Sequence, residues 1–200
     1  MGEEIRYRFY REGDEEGIVN TITESFNSFK RFNLTAKDWL EYDQRDPDIH
    51  KKLALVAEYR GEIVGHIHII LRELRYGAET TLTTGGIANV STKPEMRGKG
   101  IATRLLRKAI EYFKENKIPI SSLFTGYGST AHRIYRRLGY ADTEFIERYI
   151  GEREEIEKTI RRLGENPNIK IREYKAKDET EMLKIYEEEG TKQMGTVHRT

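Results

Sequence analysis

The sequence has no cysteine. Disulfides, thiolate metal sites and a cysteine nucleophile are therefore excluded from any account of it. It also lacks an excess of either charge: 35 basic against 34 acidic residues leave a net charge of +1, so there is no overall pull toward nucleic acid or an anionic membrane surface. No stretch approaches the roughly 18 consecutive apolar residues of a membrane span. The opening Met-Gly-Glu-Glu-Ile-Arg has no basic segment followed by an apolar one, and Arg6 argues against myristoylation. The expectation is a cytoplasmic protein without nucleic-acid or membrane partners. Charged residues make up 34% and hydrophobic residues 36% of the 200 positions, a polar composition that still supports a core, in one domain or one domain with an appendage.

Against these absences, one stretch stands out. Ile87-Ala-Asn-Val90 is a short apolar run, and Pro94 breaks the pairing a strand would need. Gly98 and Gly100 follow, and then Ala102, Leu105, Leu106, Ala109, Ile110 and Phe113 mark one face of a helix with a 3.6-residue repeat. The order strand, glycine turn, helix N-terminus aims free backbone N–H groups and the positive end of the helix dipole at one place, which suits a phosphate. The turn is not a Walker loop, since no Gly-Lys-Ser/Thr follows the required frame, and Thr103 stands where a dinucleotide fingerprint has its third glycine.

Around this stretch the pattern predicts a first strand at 5–10 and a helix capped by Asp14 that runs to about Phe26. A capping box over Thr35–Asp38 opens a short helix through Trp39 and Tyr42, and Asp46-Pro47-Asp48 is a turn. Strands at 53–59, 62–74 and 81–90 then form an antiparallel meander. A strand at 118–125 has to lie beside the Val90 strand if the long helix is a crossover between parallel neighbours. A short helix at 131–138 ends at Gly139, and a strand is expected at 143–148. A charged helix at 152–163 carries a thin stripe of Ile156, Ile160 and Leu163, with Glu154–Lys158 and Glu157–Arg161 as i,i+4 pairs. A linker at 164–168, a strand at 169–174 and a helix capped from Asp178 complete the pattern.

Arg97-Gly98-Lys99-Gly100-Ile101-Ala102 resembles the acetyl-CoA signature of the GNAT N-acetyltransferases, Gln/Arg-x-x-Gly-x-Gly/Ala, with Val90 and Pro94 at the family's positions before it. Gly128-Ser-Thr-Ala131-His-Arg-Ile-Tyr135-Arg-Arg-Leu-Gly139-Tyr140 resembles the family's second motif, Asn-x-x-Ala-x-x-x-Tyr-x-x-x-Gly-Phe, with Gly128 in place of the asparagine and Tyr140 in place of the phenylalanine. The resemblance covers about residues 5 to 150. It implies an α/β (α+β) GNAT fold: a mixed sheet with an antiparallel N-terminal meander, two parallel strands splayed at the acetyl-CoA site, and flanking helices. It implies acetyl-CoA as co-substrate, bound by Val90, Thr92, Arg97, Gly98, Lys99, Gly100, Ile101, Ala102, Thr103 and Ser129. Tyr135 becomes the donor to the departing sulfur, and the Val90 N–H an oxyanion donor. A thiol of pKa about 8.5 is a stronger acid than a phenol of about 10, so full proton transfer would be uphill by roughly 2 kcal/mol. A hydrogen bond that strengthens as charge develops on sulfur is the better description.

The partner implied is a small-molecule or peptide amine, and a homo-oligomer is left open. For a lysine-like amine of pKa about 10.4, reaching the neutral form at pH 7 costs roughly 4.6 kcal/mol, yet residues 81–90 hold no acid and Glu79 precedes them. His66 and His68, on one face of their strand, are candidates for a base or a metal pair, with two ordinary strand histidines as the alternative. Asp38, Asp43, Asp46, Asp48 and His50 form an acidic patch that would favour a cationic acceptor or be merely a solvated loop. Water-relayed deprotonation and desolvation of the amine are further options. The lead-in Thr84-Gly-Gly-Ile-Ala-Asn-Val90 and Ser122-Leu-Phe124 look closer to the Eis-type acetyltransferases, whose C-terminal carboxylate takes part in catalysis. On that reading residues 1–150 are the acetyltransferase domain, and 151–200 open a second GNAT-like domain in a truncated chain. Otherwise 169–174 is the closing strand of the first domain.

Overall fold

A computed structural model describes residues 4–46, 49–76, 80–143, 145, 152–164, 168 and 172–190. Five strands form one sheet in the order β1 (Arg6–Phe9), β2 (Ala54–Tyr59), β3 (Glu62–Arg75), β4 (Thr81–Thr92) and β5 (Ile120–Ser122). The first four pair antiparallel with their neighbours, and β5 lies parallel to β4. This is the α/β meander-plus-crossover that the pattern predicts.

The side chains alternate across the sheet, and each face has its own core. On one face Leu55, Ala57, Ile67, Ile69 and Ile87 meet helix α4 (Ile101–Glu115) through Ile101, Leu105, Leu106, Ala109 and Phe113. On the other, Ala54, Val56 and Ile63 meet Ile18, Val19 and Ile22 of α1 (Glu15–Ser25) and Trp39 of α3 (Ala36–Arg45), with α2 (Asn27–Arg31) between the two helices. α4 packs tightly against β4 at Gly85. A Cβ there would stand 2.3 Å from the Phe113 ring, so only glycine lets the helix settle at this height.

Thr35 and Asp38 form the expected reciprocal capping box. Asp14 occupies the N-cap position of α1 but does not cap it. Its carboxylate accepts both Arg8 guanidinium nitrogens, at 2.6 and 2.9 Å, and the Arg11 N–H. Burial alone would raise this carboxyl, but Arg8 and the Arg11 amide together hold it below its ordinary range.

The strand expected at 118–125 is only three residues long. Pro119 delays its start, and past Ser122 the chain has no strand beside it. Helix α5 (Thr130–Arg137) follows. The strand expected at 143–148 lies mostly outside the described residues, and Thr143 and Phe145 are not in a strand. Of 169–174 only Arg172–Tyr174 are described. They are not strand either, and Arg172 instead holds Asp178 at 2.5 and 2.6 Å. Asp178 takes these bonds and the Lys175 N–H, rather than capping α7 (Glu179–Gly190) through its side chain. In α6 (Arg153–Leu163) the Ile156 and Ile160 stripe is exposed, and Glu157 pairs with Arg153 and Arg161. The expected Glu154–Lys158 pair is not formed.

The close seat of α4 carries a prediction. Gly85→Ala should destabilise the fold by about 1–3 kcal/mol in urea unfolding, the range for overpacking a core, and Phe113→Leu in the same chain should recover part of the loss. An unchanged midpoint for Gly85→Ala would show that the contact is not tight.

Candidate active site

β4 and β5 pair only at Thr84–Ile120, Gly85–Ser121 and Gly86–Ser122, and then separate. From Ile87 to Thr92, β4 keeps its antiparallel partner β3 on one side but has lost β5 on the other. Within this stretch the register slips: His66 faces Ser91 and His68 faces Ala88, so Asn89 and Val90 together oppose Ile67. This is a β-bulge, which turns the main chain at Val90, and Asn89 enters it at φ +53°, a region asparagine tolerates.

After Thr92 the chain makes a 3₁₀ turn over Pro94–Met96 and passes through Gly98 and Gly100 at φ +78° and +77°. An ideal Cβ at either glycine would touch nothing, so it is the dihedral rather than space that requires glycine there. Gly100 is the N-cap of α4. No side chain caps this helix, and its first turn holds no acid. The N–H groups at its start are thus left to a ligand or solvent. Ile101 is buried, so it contributes through its main chain alone, while Ala102 and Thr103 are half-buried. Lys99 folds back, with Nζ 3.2 Å from Met96 Sδ, and Arg97 donates to the Thr92 carbonyl at 3.3 Å. Both residues nonetheless remain exposed.

The second motif lies on the same face of the sheet. Ser129 caps α5, its Oγ accepting the His132 N–H at 3.0 Å, so the acceptor capacity expected for a cofactor is partly spent on the helix. Tyr135 is buried at 6% exposure among the residues that pack α4 onto the sheet, and the Tyr140 ring stands edge-on at 5.9 Å. Burial, and secondarily Tyr140, push its phenol above the ordinary tyrosine value, so the hydroxyl stays protonated. Tyr140, where the family pattern has phenylalanine, uses its extra hydroxyl. Ser121 Oγ donates to the Gly85 carbonyl at 2.8 Å, which leaves Tyr140 to donate to Ser121 at 2.7 Å. This chain fastens the end of α5 to the vertex where β4 and β5 part. A hydroxyl at position 140 was the only sequence signal for it.

The base candidates fare differently. His66 and His68 do share a face, but both are buried beneath Trp39, with ring centroids 6.4 and 5.9 Å from it. His68 Nε2 donates to the His50 carbonyl at 3.0 Å. His66 has no hydrogen-bond partner at either ring nitrogen. Burial first and the neighbouring His68 second lower its pKa to about 3, against a weak opposing pull from the Asn89 main chain. Taking a proton from an ammonium of pKa about 10.4 would then be uphill by roughly 10 kcal/mol. His66 is no general base for an amine. Among the described residues no group of three or more side chains that could hold a metal ion comes together. Of the acidic patch, Asp38 serves the Thr35 cap, and Asp46 pairs with Arg72 at 2.6 Å. Glu79, Asp48 and the Asp43 side chain lie outside what is described.

Residues 6–142, which hold the glycine-led, uncapped helix start, the parted strands and the buried tyrosine, match the model of the acetyltransferase (GNAT) domain. The chain belongs to the GNAT family. It is 27% identical over 148 residues to an uncharacterised N-acetyltransferase of Methanocaldococcus jannaschii, covering 68% of this chain and 61% of that protein. This GNAT chain thus spans less than two thirds of that relative's length. A transcriptional regulator from Bacillus halodurans C-125 superposes with a TM-score of 0.59 at 25% identity, over 74% of this chain and 100% of that one. A predicted acetyltransferase from Clostridium acetobutylicum, solved with acetyl-CoA, superposes at 0.56 and 22% identity, over 73% and 96%, and at that identity speaks for the fold. No helix among the described residues is long and apolar enough to cross a membrane.

The buried His66 has a pH signature. Its folded pKa lies below its unfolded one, so the unfolded chain binds the proton more tightly. Stability is full above about pH 6.5 and should fall with acidification toward pH 3 by about 1.4 kcal/mol per unit. His66→Phe should remove this component from the difference between the two stability–pH curves. Parallel curves would mean that His66 is accessible to protons in the folded state.

Proposed function

We propose that this GNAT chain transfers an acetyl group from acetyl-CoA to a primary amine by direct attack in a ternary complex. The observation that carries the reading is the parting of β4 from β5 beside the uncapped N-terminus of α4. In this reading the amides from Gly98 to Thr103, with Arg97 and Lys99, receive the pyrophosphate. The pantetheine amides pair with the freed edge of β4, from Val90 to Thr92, as an added strand would. The amine nitrogen attacks the thioester carbon, and the Val90 N–H stabilises the oxyanion. The C–S bond then breaks. Sulfur takes the electron pair under a strengthening hydrogen bond from Tyr135, and the amine proton leaves to solvent. Residues 1–150 form the transferase unit, and the run from Thr84 to Val90 together with Ser122–Phe124 favours the Eis-type branch. Polyamines, aminoglycoside-like amines and lysine side chains are the acceptor classes.

A second reading, a CoA-binding module without turnover, draws on the absence of an acid along β4 and on the weak basicity of His66. Thiol release from acetyl-CoA across a panel of these amines separates the two. Stimulated release supports transfer, whereas binding of acetyl-CoA with no amine-stimulated release supports the module. With an active acceptor, Tyr135→Phe should lower kcat at least tenfold, about 1.4 kcal/mol, with acetyl-CoA affinity held within about twofold. An unchanged kcat would remove Tyr135 from the reaction.

The pH dependence tests the missing base. If the amine must arrive neutral, kcat/KM should climb about tenfold per pH unit toward the amine's own pKa, near 10 for a lysine-like acceptor. The raised pKa of Tyr135 keeps its hydroxyl a donor over that range. A plateau setting in near neutrality would reveal a protein base.

A further inference from the structure

His132 ties together three segments that the sequence keeps apart. Its ring lies in the first turn of α5, with the side chain 13% exposed. Nδ1 accepts the N–H of Gly128 at 3.2 Å, and Nε2 lies 2.9 Å from Asp142 Oδ1. The two bonds fix one tautomer: the amide needs a lone pair at Nδ1, so the proton sits on Nε2 and is donated to the carboxylate. The Tyr127 ring packs on the imidazole at 5.0 Å and on Phe145 at 5.2 Å. Asp142 also receives Arg136 at 3.7 Å. Residues 126–129 are thereby held against both α5 and the chain that follows it.

In the chain, that turn lies between β5, one wall of the gap, and α5. It begins four residues after β5 ends, and it delivers Ser129 as the cap of the helix that carries Tyr135. At position 128 there is no side chain to hold its path, only a main chain at φ +73°. We propose that His132 is a positioning residue for acetyl-CoA: through Nδ1 it locks the Gly126–Ser129 turn in the path that borders the pantetheine, and Asp142 locks the imidazole in the tautomer this needs. The inference rests on the reading of the β4–β5 gap as the acetyl-CoA site.

Two conservative variants separate the arms. In His132→Asn the side-chain oxygen falls where Nδ1 was and can still accept from Gly128. In His132→Gln the amide falls where Nε2 was and keeps Asp142 but loses Gly128. Acetyl-CoA binding to the full chain by calorimetry should weaken about fivefold in His132→Gln and His132→Ala, the worth of one ordinary hydrogen bond. His132→Asn should stay within about twofold of the parent chain. Hydrogen exchange at the Gly128 amide should be slow in the parent chain and His132→Asn and fast in His132→Gln. If Asn and Gln weaken binding equally, the ring only fills space and the proposal falls. It falls equally if His132→Ala binds as the parent does. If His132→Ala fails to fold, the Asn–Gln pair alone decides. Failure of the parent chain itself to bind acetyl-CoA would overturn the reading of the gap, an outcome distinct from parent binding that the variants leave unchanged.

Discussion

Backbone N–H and C=O groups on the inner edges of β4 and β5 lose each other after Gly86 and Ser122, and a sheet does not leave such groups unpaired without consequence. The separation begins directly beside a tight packing contact. α4 is driven up against the vertex by Phe113 over Gly85, and its other end has to begin where β4 ends. The turn that makes this connection passes through two residues at positive φ and presents an uncapped helix start. The open strand edge and the uncapped helix end are therefore two results of one crossover, spaced by the length of chain between Gly86 and Gly100.

The chemistry is shaped by what this packing keeps neutral. Tyr135 is buried and held as a phenol, which suits a hydrogen-bond donor at sulfur and disqualifies it as a base. His66 is buried and held as an imidazole so weakly basic that it cannot serve an ammonium. In the proposed reaction the acetyl side would draw its donors from Tyr135 and the β4 main chain, and the cost of deprotonating the amine would fall on the acceptor and on solvent. The hydroxyl of Tyr140, bonded through Ser121 to Gly85, gives this chain a fastening at the vertex that a phenylalanine could not make.

Elements built on local rules were legible in the sequence. The spacing of Leu105, Leu106, Ala109 and Phe113 placed the face of α4, Thr35 and Asp38 announced their own cap, and Gly98 and Gly100 marked the turn. What depended on a distant partner was not. Asp14 sits at a helix start, yet Arg8 from β1 claims its carboxylate. Residues 118–125 look like a strand, yet only three find a neighbour. The bulge at Asn89 is a mismatch of two strands and leaves no mark in either alone. His66 and His68 shared a face as alternation requires, but Trp39, from a helix well upstream, buries them. The His132–Asp142 pair, at a spacing of ten, fits no helical or strand period.

Hydrogen exchange of the backbone amides with and without acetyl-CoA tests the central claim most directly, because it requires no acceptor. The parted strands and the glycine-led helix start should gain protection together, at 98–103 and around Val90, while the α1–α3 face and α7 stay unchanged. Acetyl-CoA that protected neither the amides at 98–103 nor those around Val90, or that protected a different face of the sheet, would contradict the account.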